Sequence, residues 1–280
     1  MRELKLLSTD FDGTLIGLGG EGKCIPILAE ALDAVHAAGA IWVVNTGRSL
    51  EFALAGLDHF GAPWVPSFLA VNERHVFGRV GEDWHGLGDW NETCDLAHED
   101  LFDRCQGLLR EIRRWVANTP GVDFLPDARN PEGIITVDEP TMDCAVAFLE
   151  AAATAYPDFA WQRNTVYLRF CHTDYHKGAA LECLARELNL NAGQILAAGD
   201  HHNDLSMLHP DVASMLVCPG NAVTEVRLAV QSAGGFSSQH PFGHGTADGI
   251  FHYLHALQNL PEAEQQPRKQ AKSKVVHTIN

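Results

Sequence analysis

The chain has 280 residues, of which 46% are apolar and 20% charged, the balance of a soluble globular protein with one large domain or two modest ones. Its formal net charge of −16 argues against a phosphate-backbone binder, so no nucleic-acid partner is expected. No apolar run is long enough to span a membrane, and "MRELKLLSTDFDGTL" has no signal-peptide core, so the expectation is a cytoplasmic protein without a membrane partner.

Five short apolar runs mark strands buried on both faces of a parallel sheet: 4–8, 40–44, 67–71, 194–198 and 214–218. Helical patterns separate several of them. The stretch 26–39 opens on Pro26 and ends at Gly39, 49–60 starts at the candidate N-cap Ser49, and 177–190 aligns Leu181, Leu184 and Leu188 on one face. Strands alternating with helices predict an α/β fold, a Rossmann-like parallel sheet with right-handed crossovers.

Between about 81 and 171 the pattern changes to helix, strand, strand, helix, strand, strand. A helix is expected near 99–118, with Leu101, Cys105, Leu108, Ile112 and Trp115 on one stripe, and a second near 142–156. Strands are expected near 122–125 and 133–137, then as a pair in 159–170 around an Arg163-Asn164 turn. This predicts a small α+β unit inserted into the larger domain. Residues 261–280 are polar and aperiodic, the pattern of a disordered tail. The seven cysteines are scattered and form no CxxC pair, so they read as buried apolar side chains.

Three polar clusters follow three of the core strands: "STDFDGT", "NTGRS" and "GDHHND". Ligands of open α/β sheets bind beyond the carboxyl ends of the strands, so the clusters converge on one crevice. Asp10 and Asp12, one residue apart, could serve as nucleophile and acid/base, or simply form an Asx-rich turn. Lys177 opens a helix, where a cation meets the unfavourable end of the dipole. Asp200 and Asp204 with Asp10 offer hard oxygen ligands suited to Mg²⁺. A zinc site using His201 and His202 is the sharper alternative, although adjacent imidazoles seldom converge on one ion. Arg48 reads equally as a site residue or as half of a structural ion pair. The histidines at 240, 244, 252 and 255 read as packing or surface residues.

The chain resembles the haloacid-dehalogenase-like phosphatases. "DFDGTL" is similar to their first motif, "NTGRS" to the second, Lys177 in "YHKGAAL" to the third and "GDHHND" to the fourth. The resemblance covers roughly 1–80 and 172–260 and implies a discontinuous catalytic core, with 81–171 as an inserted cap. It implies a Mg²⁺-dependent phosphatase acting on a small phosphorylated metabolite, expected to be a sugar phosphate, through an aspartyl-phosphate on Asp10. Asp12 would be acid and base, Thr46 and the Gly47 amide would hold phosphoryl oxygens, and Lys177 would neutralise charge. Asp10, the Asp12 main-chain carbonyl and Asp200 would bind the metal. Asp204 would bind it through water or orient Lys177, and Asn203 would support the loop beside the substrate. A large cap between the second and third motifs resembles the Cof-type and sucrose-phosphatase-like branch, from which "VNERHVF" (71–77) departs where Asn-Gly-Ala is usual.

Candidate specificity residues on the cap are Arg129, Asn130, Arg163, Asn164 and Arg169. A dehalogenase is disfavoured, because C–X displacement has no use for Asp12. The remaining alternatives are a phosphomannomutase-like phosphotransferase and a non-catalytic binding protein of the same fold. A monomer or small homo-oligomer is expected.

Overall fold

A computed structural model describes residues 3–17, 22–125 and 132–259. Its larger sheet begins with strands β1 (Leu6–Thr9), β2 (Ile41–Asn45) and β3 (Phe68–Val71). These three run parallel to β10 (Ile195–Ala198), β11 (Met215–Cys218) and β12 (Phe236–Ser237). The spatial order is β12-β11-β10-β1-β2-β3, extended by the antiparallel strands β4 (His75–Val80) and β5 (Asp83–Gly86). The chain therefore enters the sheet at its middle and leaves toward both edges, which puts a strand-order reversal at β1 and its neighbour β10.

Alternate residues of each central strand enter different cores. Leu7, Trp42, Val44, Leu69 and Leu196 pack with helices α1 (Pro26–Ala37), α2 (Leu50–Phe60) and α8 (Phe242–Gln258). Leu6, Val43, Ala70, Ile195 and Ala197 pack with α6 (Lys177–Glu187) and α7 (Thr224–Ser232). Both faces are covered, which is why these strands read as unbroken apolar runs. Each fully buried aliphatic side chain contributes about 1.5–3 kcal/mol. Ser49 caps α2 by accepting from the Phe52 amide, and Gly61 closes it in the left-handed region.

The second sheet has the order β6-β7-β9-β8 and is antiparallel throughout: β6 (Val122–Phe124), β7 (Gly133–Thr136), β8 (Phe159–Asn164) and β9 (Tyr167–His172). Helices α3 (Trp90–Arg104), α4 (Gln106–Asn118) and α5 (Glu139–Ala152) accompany it around a separate core that includes Leu101, Leu109, Ile112, Leu149 and Phe170.

The structure departs from the expected elements at several points. The helix expected at 99–118 is two helices broken at Cys105, whose ψ of 16° leaves the helical region while its side chain stays buried on the apolar stripe. The β8–β9 turn is Thr165-Val166, not Arg163-Asn164; Asn164 pairs with Tyr167 across it, and Thr165 has a φ of 50°. Strands β4 and β5 were not expected, and β5 falls inside the range assigned to the insertion although it belongs to the large sheet. The segment 261–280 and the candidates Arg129 and Asn130 lie outside the described residues.

Side-chain contacts tie α3 to the large sheet where the chain passes between the sheets, among them His75 to Asp95 at 2.8 Å. Trp90 donates its indole N–H to the Arg74 carbonyl, and Asn91 uses its amide on both the N–H and the carbonyl of Val76. On the return path, His98 accepts from the His172 amide at 3.1 Å, and Tyr175 packs against the rings of Trp90, His98 and His172.

Candidate active site

Asp10 extends β1, its amide donating to the Ala198 carbonyl at 2.9 Å, and its side chain is buried. Its Oδ1 lies 2.6 Å from the Lys177 Nζ. The same ammonium lies 2.7 Å from Asp204 Oδ1 and is wholly shielded from solvent. Burial alone would lower the Lys177 pKa, but Asp10 and Asp204 outweigh it and the net shift is upward. The lysine is thus held charged despite opening α6. Its own carbonyl accepts from the Asn45 side chain at the end of β2.

Asp12 faces outward. Arg48 takes both its oxygens, Nε to Oδ2 at 2.7 Å and Nη2 to Oδ1 at 2.6 Å, while the guanidinium stacks 4.8 Å from the Phe11 ring centroid. Between the two aspartates and the next turn, Gly13 has a φ of 88°, and a Cβ there would overlap the Asp200 carboxylate. This close approach brings Asp200 beside the first strand end. Thr14 donates to Asp200 Oδ1 at 2.8 Å.

Carboxylate oxygens of Asp10, Asp200 and Asp204 lie within 4.8 Å of one another. Burial, only partly offset by Lys177, raises Asp10 well above the ordinary carboxylate range. Burial and then the Asp204 charge push Asp200 up to about 7. A hard divalent cation would relieve both groups, and an all-oxygen donor set fits Mg²⁺. Asp204 is already engaged, its Oδ1 by Lys177 and its Oδ2 by the amides of Asp200 and His201 at 2.9 and 3.0 Å.

Above this floor opens a cavity of about 970 Å³ between the two sheets. Asp10, Asp12, Thr46, Gly47 and Arg48 line the core side, and Glu132, Gln162, Asn164 and Arg169 line the opposite wall. Of the other predicted residues, Asn203 is buried and donates to Glu73 Oε1 at 2.8 Å. Arg163 turns to Asp143 at 2.7 Å and does not line the cavity. His201 is directed at the β8–β9 hairpin, its Nε2 accepting from the Thr165 amide at 3.1 Å, and burial lowers its pKa to about 4. His202 faces Glu225. Among the described residues, neither histidine joins the carboxylate cluster, so the zinc alternative has no ligand set here.

Two residues of the site were missed by the sequence reading. Asn221, just past β11, donates to the Gly13 carbonyl at 2.8 Å and approaches Asp200 Oδ2 at 3.4 Å. Its signal was present in "PGN", a fourth polar cluster after a buried strand. Glu73 lies in the turn after β3 and lines the cavity. Its signal was an acidic residue at a strand end.

A family model described as haloacid dehalogenase-like hydrolase matches residues 127–240. The chain is 26% identical to the mannosylfructose-phosphate phosphatase of Agrobacterium fabrum, over 90% of this chain and 98% of that one. It is also 26% identical to the phosphoglycolate phosphatase of Haloarcula marismortui, over 77% and 84%. The sucrose-phosphatase of Synechocystis sp. PCC6803, solved with sucrose and phosphate, superposes with a TM-score of 0.65 at 17% identity, covering 90% of this chain and 98% of that one. With four motifs brought to one end of a parallel sheet, the chain is similar to the haloacid dehalogenase-like hydrolases in both sequence and fold.

Proposed function

We propose that the protein is a Mg²⁺-dependent phosphomonoesterase that removes phosphate from a small phosphorylated metabolite, a sugar phosphate being the leading substrate class. The observation that carries this reading is the position of Asp10: a buried carboxylate, fixed by Lys177, that lines the cavity beside Asp12. The sugar-phosphate assignment draws on the likeness to mannosylfructose-phosphate phosphatase and on a cavity wall of amide, carboxylate and guanidinium groups.

In this reading Asp10 attacks phosphorus and forms an aspartyl-phosphate. Lys177 holds Asp10 in place and offsets the charge gathered there. Asp12 gives a proton to the departing alkoxide and then takes one from the attacking water, help worth about 10²- to 10⁴-fold. Since Arg48 grips both Asp12 oxygens, it must yield one of them for that proton to sit. Thr46 and the Gly47 amide bind phosphoryl oxygens. Asp10 and Asp200, with the Asp12 main-chain carbonyl, would hold the cation, and Asp204 orients Lys177. When bound, the cation would neutralise charge on the phosphoryl group.

The unit from α3 to β9 acts as a cap over the cavity, its β8–β9 hairpin set against His201. It excludes water and selects the leaving group. A mutase would have to shield the aspartyl-phosphate from water, and no observation favours that reading. Phosphate release from a panel of phosphorylated metabolites, with Mg²⁺ and with EDTA, tests the proposal. Release that needs Mg²⁺ is expected; none from any compound, or equal release in EDTA, contradicts it.

A further inference from the structure

The turn joining β3 to β4 is tied by its backbone to the loop after β2: the amide of Asn72 donates to the Arg48 carbonyl at 2.8 Å and that of Glu73 to the Thr46 carbonyl at 3.1 Å. Both turn residues have left-handed backbones, with φ of 51° and 65°, a conformation that favours glycine. A glutamate held there has an expensive backbone and a side chain only 5% exposed. Its carboxylate covers Gly47, where even a Cβ would come within 3.3 Å of Oε1. Oε1 accepts from Asn203. Oε2 is buried and has no hydrogen-bond partner among the described residues. A buried carboxylate oxygen without a donor is costly, and a group that enters the cavity can supply one.

We infer that Glu73 is a specificity-determining residue, accepting a hydrogen bond from a hydroxyl of the leaving group close to the phosphate ester and rejecting leaving groups that carry an acid there. The inference rests on the phosphomonoesterase reading and narrows it to neutral polyol phosphates. Three features agree. The core side of the cavity already holds Asp10 and Asp12, so a second acid on the substrate beside the ester meets carboxylates. Among the described residues, the arginine lining that side is Arg48, which is committed to Asp12. On the cap wall Arg169 stands 3.9 Å from Glu132, and Arg74, beside Glu73 in the same turn, approaches the same Glu132 oxygen at 4.0 Å, so both guanidiniums already face a carboxylate.

Glycerol 3-phosphate, propyl phosphate and 2-phosphoglycolate form a probe set that differs in the hydroxyls and in one acid. Their affinities are measured by calorimetry with Mg²⁺ in Asp10→Asn protein, which binds without turning over, alone and combined with Glu73→Gln or Glu73→Gly. Glycine suits the left-handed backbone, and thermal melts verify folding of both variants. With Glu73 present, glycerol 3-phosphate should bind tighter than either other ligand by about tenfold or more. Glu73→Gln should bring 2-phosphoglycolate to within about threefold of glycerol 3-phosphate, and Glu73→Gly should abolish the preference over propyl phosphate as well. A missing preference, one that both variants retain, or no binding of glycerol 3-phosphate overturns the inference. Phosphate release by the wild type is assayed in parallel: a Glu73-dependent binding preference without release from any compound would sink the phosphatase reading and leave the recognition role standing.

Discussion

The ammonium of Lys177 bridges Asp10 at 2.6 Å and Asp204 at 2.7 Å, with no part of its surface exposed. A charge buried this deeply is tolerated only because both partners are present. Removing one member of such a set leaves uncompensated charge and typically costs about 3–5 kcal/mol. Lys177→Met should therefore lower unfolding free energy in urea by about that amount and abolish turnover. Asp204→Asn should lower stability less, because the Asp10 pair survives, while still lowering kcat by displacing the ammonium. Equal stability of Lys177→Met and wild type would contradict this account.

The roles proposed for Asp12 and Asp10 are separable by experiment. Asp12→Asn keeps a polar group of the same size but cannot move the proton. It should lower kcat by about 10²- to 10⁴-fold for substrates with poor leaving groups and much less for an aryl phosphate, whose leaving group needs no proton. Steady-state kinetics on both substrate types test this, and an equal loss on both would argue against the acid/base role.

Gly13 is a glycine for two reasons, its φ of 88° and the Asp200 carboxylate lying where a Cβ would be. Gly13→Ala should push Asp200 away from Asp10 and weaken Mg²⁺ activation at least tenfold, a loss of about 1.4 kcal/mol in cation affinity. Asn221→Ala, which frees the Gly13 carbonyl, should do the same to a smaller degree. Mg²⁺ titrations of activity measure both effects.

Acid should loosen the base of the second unit, where α3 meets the end of β9. Burial, with Arg74 nearby, lowers the His98 pKa to about 4, the backbone bond to Cys94 opposing. The ring's Nε2 accepts from the His172 amide and Nδ1 faces the Cys94 carbonyl, an arrangement of the neutral Nδ1–H tautomer. In the unfolded chain the ring titrates near 6.5. The unfolded state thus binds the proton first, so this contribution is fully present above pH 6.5 and is lost as pH falls toward 4. At pH 5 the loss is about 2 kcal/mol. Urea midpoints from pH 7.5 to 5 should fall, with a shallower slope in His98→Asn.

Much of this was legible in the sequence because fully buried strands leave unbroken apolar runs. Leu6, Val43, Ala197 and Val217 could be read without tertiary information, and the polar clusters after β1, β2 and β10 followed from them. The edge hairpin β4–β5 was illegible for the same reason reversed: its burial is mixed, with Val80 and Asp83 exposed, so neither period nor composition marks it. Glu73 was lost with that hairpin. The break at Cys105 carries no glycine or proline, and Asn164 has the composition of a turn residue but sits in a ladder. The pairing of Arg48 with Asp12 joins residues 36 apart in sequence, and neither side chain alone announces the other.

The account rests most on Asp10 as the group that takes the phosphoryl. Acid-quenched enzyme from a turnover mixture, reduced with borohydride and mapped by mass spectrometry, reports which carboxylate was phosphorylated. Conversion of residue 10 to homoserine in wild type, with no labelled residue and no phosphate release in Asp10→Asn, is the predicted result. Label at another position, or sustained release by Asp10→Asn, would contradict it.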